Sequence, residues 1–414
     1  MGPASPVSQV GARGARHAVP TRKRLRSERA AADGLLLRSQ ANPEGRAAAE
    51  RRKAPPASIL LTVTTVTLVA VGLVMILSAS SVEAYTRYGS SFLFFNRQVI
   101  GAVVGLGAMF ALARCDYRAL RRLTRPLLLG VVILLVAVLV PGLGIAAGGA
   151  ARWLPLGPFS LQPSELAKLA VVFFCADTLE RKGARLADPK ELATAAPLVG
   201  AVLVLVMLQP DLGTAMVCGG CALVVLFLAG TRIRHVSAVV TSALVGVAVL
   251  IAAEGYRRAR LFSFLDPWSD PLNTGYQTIQ GQIALGSGGL FGVGLGASRQ
   301  KWSYVPHAHT DFIYAIIGEE LGLIGTLAVL FLFVVLVYLG IRTARRAPDR
   351  FGMLLAGGIT GWIGLQALIN MGAVTGMLPI TGVPLPLISF GGSALVVTLA
   401  AIGVLLSIAR RGEA

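Results

Sequence analysis

A chain of 414 residues that is 55% hydrophobic and only 14% charged, with positive mean hydropathy, is built for a membrane and excludes a soluble globular domain. The net charge of +18 is uneven, and twelve Arg/Lys against four Asp/Glu fall within residues 1–53. The four cysteines, Cys115, Cys175, Cys218 and Cys221, all lie in or beside apolar segments, which excludes a disulfide framework.

Residues 1–55 are rich in Arg, Ala, Gly, Ser and Pro and carry no useful apolar stripe, so they read as a disordered basic cytoplasmic tail. Such a tail orients the chain and touches anionic lipid; docking of a protein is the alternative. Nucleic-acid binding is excluded because no aromatics are interleaved with the charges. The first apolar run begins near Ala57 with no small-residue cleavage site after it, and is a retained span.

From there, apolar runs recur at 57–79, 98–114, 125–143, 164–180, 192–208, 212–229, 235–253, 311–339, 353–374 and 387–408. Each is near the roughly 17–25 residues a helix needs to cross a bilayer. The expected fold is therefore an all-α polytopic membrane protein with ten transmembrane helices, forming one domain over residues 56–411. Arg118, Arg121, Arg122 and Arg125 follow the second span, and Arg181, Lys182, Arg185 and Lys190 the fourth. Arg232 and Arg234 follow the sixth, Arg342, Arg345, Arg346 and Arg350 the eighth, and Arg410 and Arg411 the tenth. The positive-inside rule then puts both termini in the cytoplasm. The other face receives residues 80–97, 144–163, the Gln209-Pro210-Asp211 turn, 375–386 and one large extracytoplasmic loop, 254–310.

Polar chemistry concentrates on that face. Arg152 and Trp153 place a cation and an aromatic at the outer interface, although Trp153 alone also suits a membrane-interface anchor. In Gln162-Pro163-Ser164-Glu165-Leu166-Ala167-Lys168, Glu165 and Lys168 share a helix face. Cys218-Gly219-Gly220-Cys221 lies inside an apolar helix with no His near it, and reads as small-residue packing. A polar loop as long as 254–310 is more often functional than idle. Its Gly292-Val293-Gly294-Leu295-Gly296 follows no strand of a βαβ unit, so a phosphate-loop reading is discarded.

The loop ends in Pro306-His307-Ala308-His309-Thr310-Asp311 at the mouth of the eighth span. Partial desolvation there suits Asp311 to general-base work, while a helix N-cap is the plainer alternative. Gly318 lies on the same helical face and is expected to leave room for a ligand. His307, His309 and Asp311 on an extended strand would resemble a metal site, but the helix start near Asp311 argues against a shared face. A weakly held divalent cation, Mg²⁺ or else Ca²⁺ or Mn²⁺, between Asp311 and a substrate phosphate fits better than zinc. Glu319 and Glu320 are intramembrane carboxylates that need a partner, and Lys168 is the candidate ion-pair partner at comparable depth. The Pro/Gly-dense stretch 378–393, with Ser389, Gly391, Gly392 and Ser393, is tolerated at membrane depth only against protein or a cavity, and is expected to line the Asp311 site.

No nucleotide motif is present, and the outer face has no nucleotide supply. A bond-forming enzyme there needs a substrate already activated and anchored in lipid, such as a polyprenyl-diphosphate sugar. Arg152, Lys168 or a metal ion would absorb the developing charge.

These residues resemble the SEDS family, the FtsW, RodA and SpoVE group of multispan peptidoglycan glycosyltransferases that polymerise lipid II. The resemblance runs from about 57 to 411. It is carried by Arg152-Trp153, residues 162–168, Gln209-Pro210-Asp211-Leu212-Gly213-Thr214, Gly275-Tyr276-Gln277, His309-Thr310-Asp311-Phe312-Ile313, Gly318-Glu319-Glu320 and Pro386-Leu387-Ile388-Ser389-Phe390-Gly391-Gly392-Ser393. It implies ten spans, catalysis on the outer face, and Asp311 as the catalytic residue. His309, Thr310, Trp153, Glu165 and Lys168 would stand around the substrate. It also implies a class B penicillin-binding protein and other division proteins as partners, in the bacterial inner membrane at the septum. Ser263-Phe264-Leu265-Asp266-Pro267-Trp268 looks more like the division branch than the elongation branch. His307 stands where the family carries Glu, so no catalytic part falls to it; Phe390 stands where Tyr is common. An elongation-type polymerase, a lipid II flippase and a division scaffold are the competing readings.

Overall fold

In this computed structural model the described residues are 56–183 and 196–413, except 148, 149, 158, 303, 304 and 307. The basic tail and His307 lie outside them. Long apolar runs make the helices, and local polar groups end them. Helix α1 (Ala57–Tyr88) stops at Gly89, which adopts φ 71 and returns its N–H to Tyr85. Then come α2 (Leu93–Arg114), the short α3 (Tyr117–Leu120) and α4 (Thr124–Leu139). Helix α5 (Pro163–Lys182) has Pro in its first turn, with Glu165 beside it and Arg181 and Lys182 in its last, all as the helix dipole favours. Helices α6 (Ala196–Met207) and α7 (Leu212–Leu228) follow, the latter capped by Asp211 on the N–H of Thr214 at 3.0 Å. Helix α8 (Ile233–Ala253) is largely apolar and buries no residue against protein.

After α9 (Gly255–Leu265) and α10 (Tyr276–Ser287), three longer helices complete the bundle: α11 (Ile313–Arg345), α12 (Arg350–Val374) and α13 (Gly392–Glu413). Helix α13 packs along α2, α12 lies between α11 and α7, and α1 lines the other side of α11. Helices α12 and α13 are the most enclosed, each with 72% of its apolar window buried.

Among the described residues each of the ten apolar runs overlaps a helix; residues 192–195 of the fifth lie outside them, and the tenth becomes helical at Gly392. Seven of these helices are long and apolar enough to cross a membrane. Helices α6 and α7 are shorter, and α5 carries charge along its length.

Two expectations are corrected. The fold is not all-α: residues 144–163 hold a three-stranded antiparallel sheet in the order β1 (Ile145–Ala147), β2 (Ala150–Leu156), β3 (Phe159–Leu161). Leu154 pairs with Leu161 and Leu156 with Phe159, while Trp153 pairs with Ile145. The stretch is too short and Gly-rich to announce strands, and it folds by closing hairpins on itself. Nor is 254–310 a plain loop. It contains α9 and α10, and α10 buries Thr278, Ile279, Gly281 and Ala284 while packing on α11. The Cys218–Cys221 segment is packing: both thiols are fully buried, and Gly220 faces Leu365 of α12.

Candidate active site around Asp311

Asp311 stands two residues before the first turn of α11, and its side chain is partly exposed. Its backbone is fixed from three sides. Asn370 of α12 donates its amide to Asp311 O and to Val383 O, both at 2.8 Å. Ser389 Oγ donates to Thr310 O at 2.6 Å and accepts the N–H of Leu385 at 2.8 Å. The N–H of Phe390 donates to His309 O at 2.9 Å. The irregular stretch 382–390, which turns at Leu385–Ser389, thus runs alongside 309–311, and its Gly382 brings backbone close to the carboxylate: a Cβ there would sit 3.6 Å from Asp311 Oδ2.

His309 is buried, stacked on Phe94 with ring centroids 4.8 Å apart and 5.6 Å from the ring of Phe390. Its Nδ1 lies 3.1 Å from Glu83 Oε2 at the end of α1. Gln98 of α2 reads both sides of the next turn, donating to Ser389 O at 3.2 Å and accepting from Gly391 N–H at 3.1 Å. The Oγ of Ser393 accepts the N–H of Gln162 at 3.4 Å, and Gly392 opens α13.

One shell further in, Lys168 and Glu165 pair at 2.7 Å, each 1% exposed. Lys168 also donates to Gln366 Oε1 at 2.8 Å and lies 5.2 Å from the Trp362 ring centroid. Trp362 donates to the same Gln366 oxygen at 2.8 Å, and Gln366 donates to Pro384 O at 2.9 Å. Buried ions persist when paired and hydrogen-bonded in this way. Gln366 and Asn370, one turn apart on α12, therefore tie Pro384 and Val383 to the Lys168 cluster and to Asp311. Arg152 is engaged by backbone, donating to the carbonyls of Gln209 and Pro210, the former at 3.0 Å. Trp153 is half-buried in β2.

The structure thus gathers His309, Thr310, Asp311, Ser389 and Gly391, and joins Glu165 and Lys168 to them through Gln366. It separates Glu319 and Glu320 from that group. The cationic partner of Glu320 is Lys301 at 3.3 Å, and Glu319 accepts from Ser298 Oγ and the N–H of Arg299; neither pairs with Lys168 as the depth comparison suggested. Burial depth along two helices does not fix which way their side chains face, and the loop supplies a nearer cation. Gly318 leaves no room for a ligand either: a Cβ there would lie 2.4 Å from Leu285 of α10.

Sequence reasoning did not single out Gln98, Gln366, Asn370 or Lys301. The three amides sit inside apolar spans, a signal in its own right. Lys301 looks like any loop cation. Among the described residues no three His, Cys, Asp or Glu side chains gather as a metal cage. A single carboxylate at a partly open position would leave most of a divalent cation's oxygen ligands to come from elsewhere.

Fold and site define a polytopic helical membrane protein in which polar side chains hold the backbone of 310–311 and leave the Asp311 side chain partly exposed at one end of the bundle. The family model described as cell cycle protein, FtsW/RodA/SpoVE, matches residues 58–413. A probable peptidoglycan glycosyltransferase FtsW of Geobacter metallireducens is 46% identical over 84% of this chain and 92% of its own length. Stage V sporulation protein E of Bacillus subtilis is 44% identical over 85% and 96%. Among solved structures, a chain of a peptidoglycan synthase complex that coordinates polymerization and crosslinking aligns with a TM-score of 0.71 at 33% identity, covering 85% of this chain and 97% of that one. The rod shape determining protein RodA of Thermus thermophilus aligns with a TM-score of 0.64 at 31% identity over 86% and 97%. The chain belongs to the FtsW/RodA/SpoVE family, the SEDS proteins, and is FtsW-like within it.

Proposed function

We propose that this protein is a peptidoglycan glycosyltransferase that polymerises lipid II into glycan strands on the outer face of the bacterial inner membrane during cell division. Asp311 is the general base. The observation that carries this reading is the partly exposed Asp311 carboxylate on a backbone held by Asn370, Ser389 and Phe390. A base must be presented to substrate and yet be held still.

In the reaction, a sugar hydroxyl of one lipid-linked unit attacks the anomeric carbon of another. The new C–O bond forms as the bond to polyprenyl diphosphate breaks, the leaving diphosphate takes the electron pair, and Asp311 takes the hydroxyl proton. A bound divalent cation would stabilise charge on the diphosphate, and Asp311 is the residue that would hold it. His309, Thr310, Ser389, Gly391, Gly392 and Ser393, with Arg152 and Trp153, would bind the lipid-linked substrate around this carboxylate. Lys168 and Glu165 act through Gln366, which steadies Pro384. No nucleotide takes part.

Ten crossings with both termini cytoplasmic follow from the basic clusters. A class B penicillin-binding protein as transpeptidase partner, with other division proteins, is supported by the likeness to a chain of a peptidoglycan synthase complex. The septum is its expected site, and a fluorescent fusion tests that. Reconstitution with lipid II, a divalent cation and the cognate transpeptidase tests the chemistry. Glycan chains are expected with the wild type and none with Asp311→Asn at equal folded yield. Polymerisation by Asp311→Asn would remove the base assignment, and lipid translocation without polymer would make the protein a transporter.

A further inference from the structure

Helix α11 is broken at Gly322, whose φ of 68 and ψ of −164 leave the helical region. The break has a specific filling. In an unbroken helix the N–H groups of Leu323 and Ile324 would bond the carbonyls of Glu319 and Glu320. Instead they donate to Gly289 O at 2.9 Å and Leu290 O at 3.2 Å. The freed carbonyls of Glu319 and Glu320 accept from Val293 N–H at 2.9 Å and Gly294 N–H at 3.1 Å. Residues 289–294 thus replace the two missing rungs of the ladder with four bonds of their own. Backbone must touch backbone to do this: a Cβ on Gly292 would lie 2.2 Å from Glu320 O, and one on Gly322 2.4 Å from Gly292 N. This is a physical reason for glycine at the start of the Gly292–Gly296 run.

Side chains then lock the filling in place. Glu319 accepts the N–H of Arg299 at 2.8 Å and the hydroxyl of Ser298. Glu320, with no exposed side-chain surface, accepts Ser78 Oγ of α1 at 2.6 and 2.7 Å, the N–H of Ser298 at 3.4 Å, and Lys301 Nζ at 3.3 Å. Lys301 is itself 5% exposed and also donates to Gly296 O at 2.7 Å. It is the cation through which the loop, α1 and the broken helix are joined.

We infer that Lys301 is a positioning residue for the reaction: its ammonium, seated on Glu320 and Ser78, latches residues 289–301 into the break at Gly322 and so fixes the helical segment 313–321 that presents Asp311. The inference rests on the reading of Asp311 as the base. The physical need is plain. The break uncouples segment 313–321 from the long remainder of α11, so the loop supplies the connection that the helix ladder lacks. Displacement of a catalytic group by about 1 Å can cost on the order of 100-fold in rate.

The test uses the full chain in vesicles of phosphatidylethanolamine and phosphatidylglycerol, with the transpeptidase and lipid II. Turnover is followed as glycan product and the latch by amide exchange. Lys301→Met is expected to lower kcat by about 10- to 100-fold with KM nearly unchanged, and to speed exchange at Val293, Gly294, Leu323 and Ile324. Lys301→Arg restores both. Lys301→Met leaves Glu320 buried without its cation, so Lys301→Met/Glu320→Gln is made alongside it to relieve that charge. The double variant is expected to regain folded yield while kcat stays low. The inference is overturned if exchange quickens while turnover stays at the wild-type level, or if the neutral double variant recovers kcat together with its fold. Asp311→Asn separates the two claims: it is expected to stop turnover and leave latch exchange as in the wild type. If Asp311→Asn still polymerises, the base reading fails whatever the latch does.

Discussion

Lys168 shows how much depends on a single buried charge. Its ammonium and the Glu165 carboxylate are each 1% exposed, and the pair is satisfied from outside by Gln366 and the face of Trp362. Removing one member leaves the other charged and unpaired in a low-dielectric interior, a loss of about 3–5 kcal/mol. Lys168→Met is therefore expected to unfold in detergent at markedly lower temperature than the wild type. Glu165→Gln/Lys168→Met removes the stranded charge and is expected to recover most of that loss. A double variant as unstable as Lys168→Met would show that packing, and not charge, is what the pair provides. The carboxylates and Lys168 were legible in the sequence because charge inside an apolar run is conspicuous. The Glu165–Lys168 pair was legible too, from its helical spacing, but the partner of Glu320 was not, since pairing it with Lys301 depends on a loop path that periodicity does not encode.

Helix ends and connections carry the next level. Asp349 caps α12 through the N–H of Gly352 at 2.7 Å, and it also receives Arg118 Nε at 2.8 Å and the hydroxyl of Tyr117. Burial pushes its carboxyl up, but hydrogen bonds from Tyr117, Gly352 and Arg118 and the Arg118 charge outweigh burial and hold it below the usual value of 3.8. The sign follows from linkage. A carboxyl whose folded-state pKa is depressed contributes stability that is full above its unfolded value and is lost as pH falls through the folded one. Thermal stability is expected to decline as pH drops below about 4, and Asp349→Asn is expected to lower stability at neutral pH and flatten that decline. An unchanged acid limb in Asp349→Asn would assign the effect to other carboxylates. At this scale the helices were readable from apolar run length, since a span must be long and apolar. The sheet at 145–161 and helices α9 and α10 were not. Hairpin strands of three to seven residues give little periodic signal, and α10 is made helical by packing on α11.

Across the whole molecule, polar contacts segregate to the two ends of the bundle. At one end Ser58 of α1 meets Glu413 of α13, Arg411 meets Asp116, Arg118 meets Asp349, Arg121 meets Asp177 and Glu180, and Arg350 bonds Ala229 O. These are the basic clusters that follow alternate apolar runs, drawn together by folding. At the other end lie Arg152 with Gln209, Gln162 with Ser393, His309 with Glu83, and the Asp311 site. Such a division is what a bilayer imposes, because few charges are tolerated between its faces. If the basic end is cytoplasmic, as the proposed topology has it, the Asp311 end faces out. The native thiols provide the test: Cys115, at the basic end, is exposed, while Cys175, Cys218 and Cys221 are buried. In intact spheroplasts a membrane-impermeant maleimide is expected to leave the wild-type chain unlabelled and to react with it once the membrane is permeabilised. Leu272→Cys, at a position 82% exposed between α9 and α10, is expected to react without permeabilisation. Labelling of Cys115 from outside, with Leu272→Cys protected, would invert the orientation and put the base on the wrong side for a lipid-linked sugar displayed outside the cell.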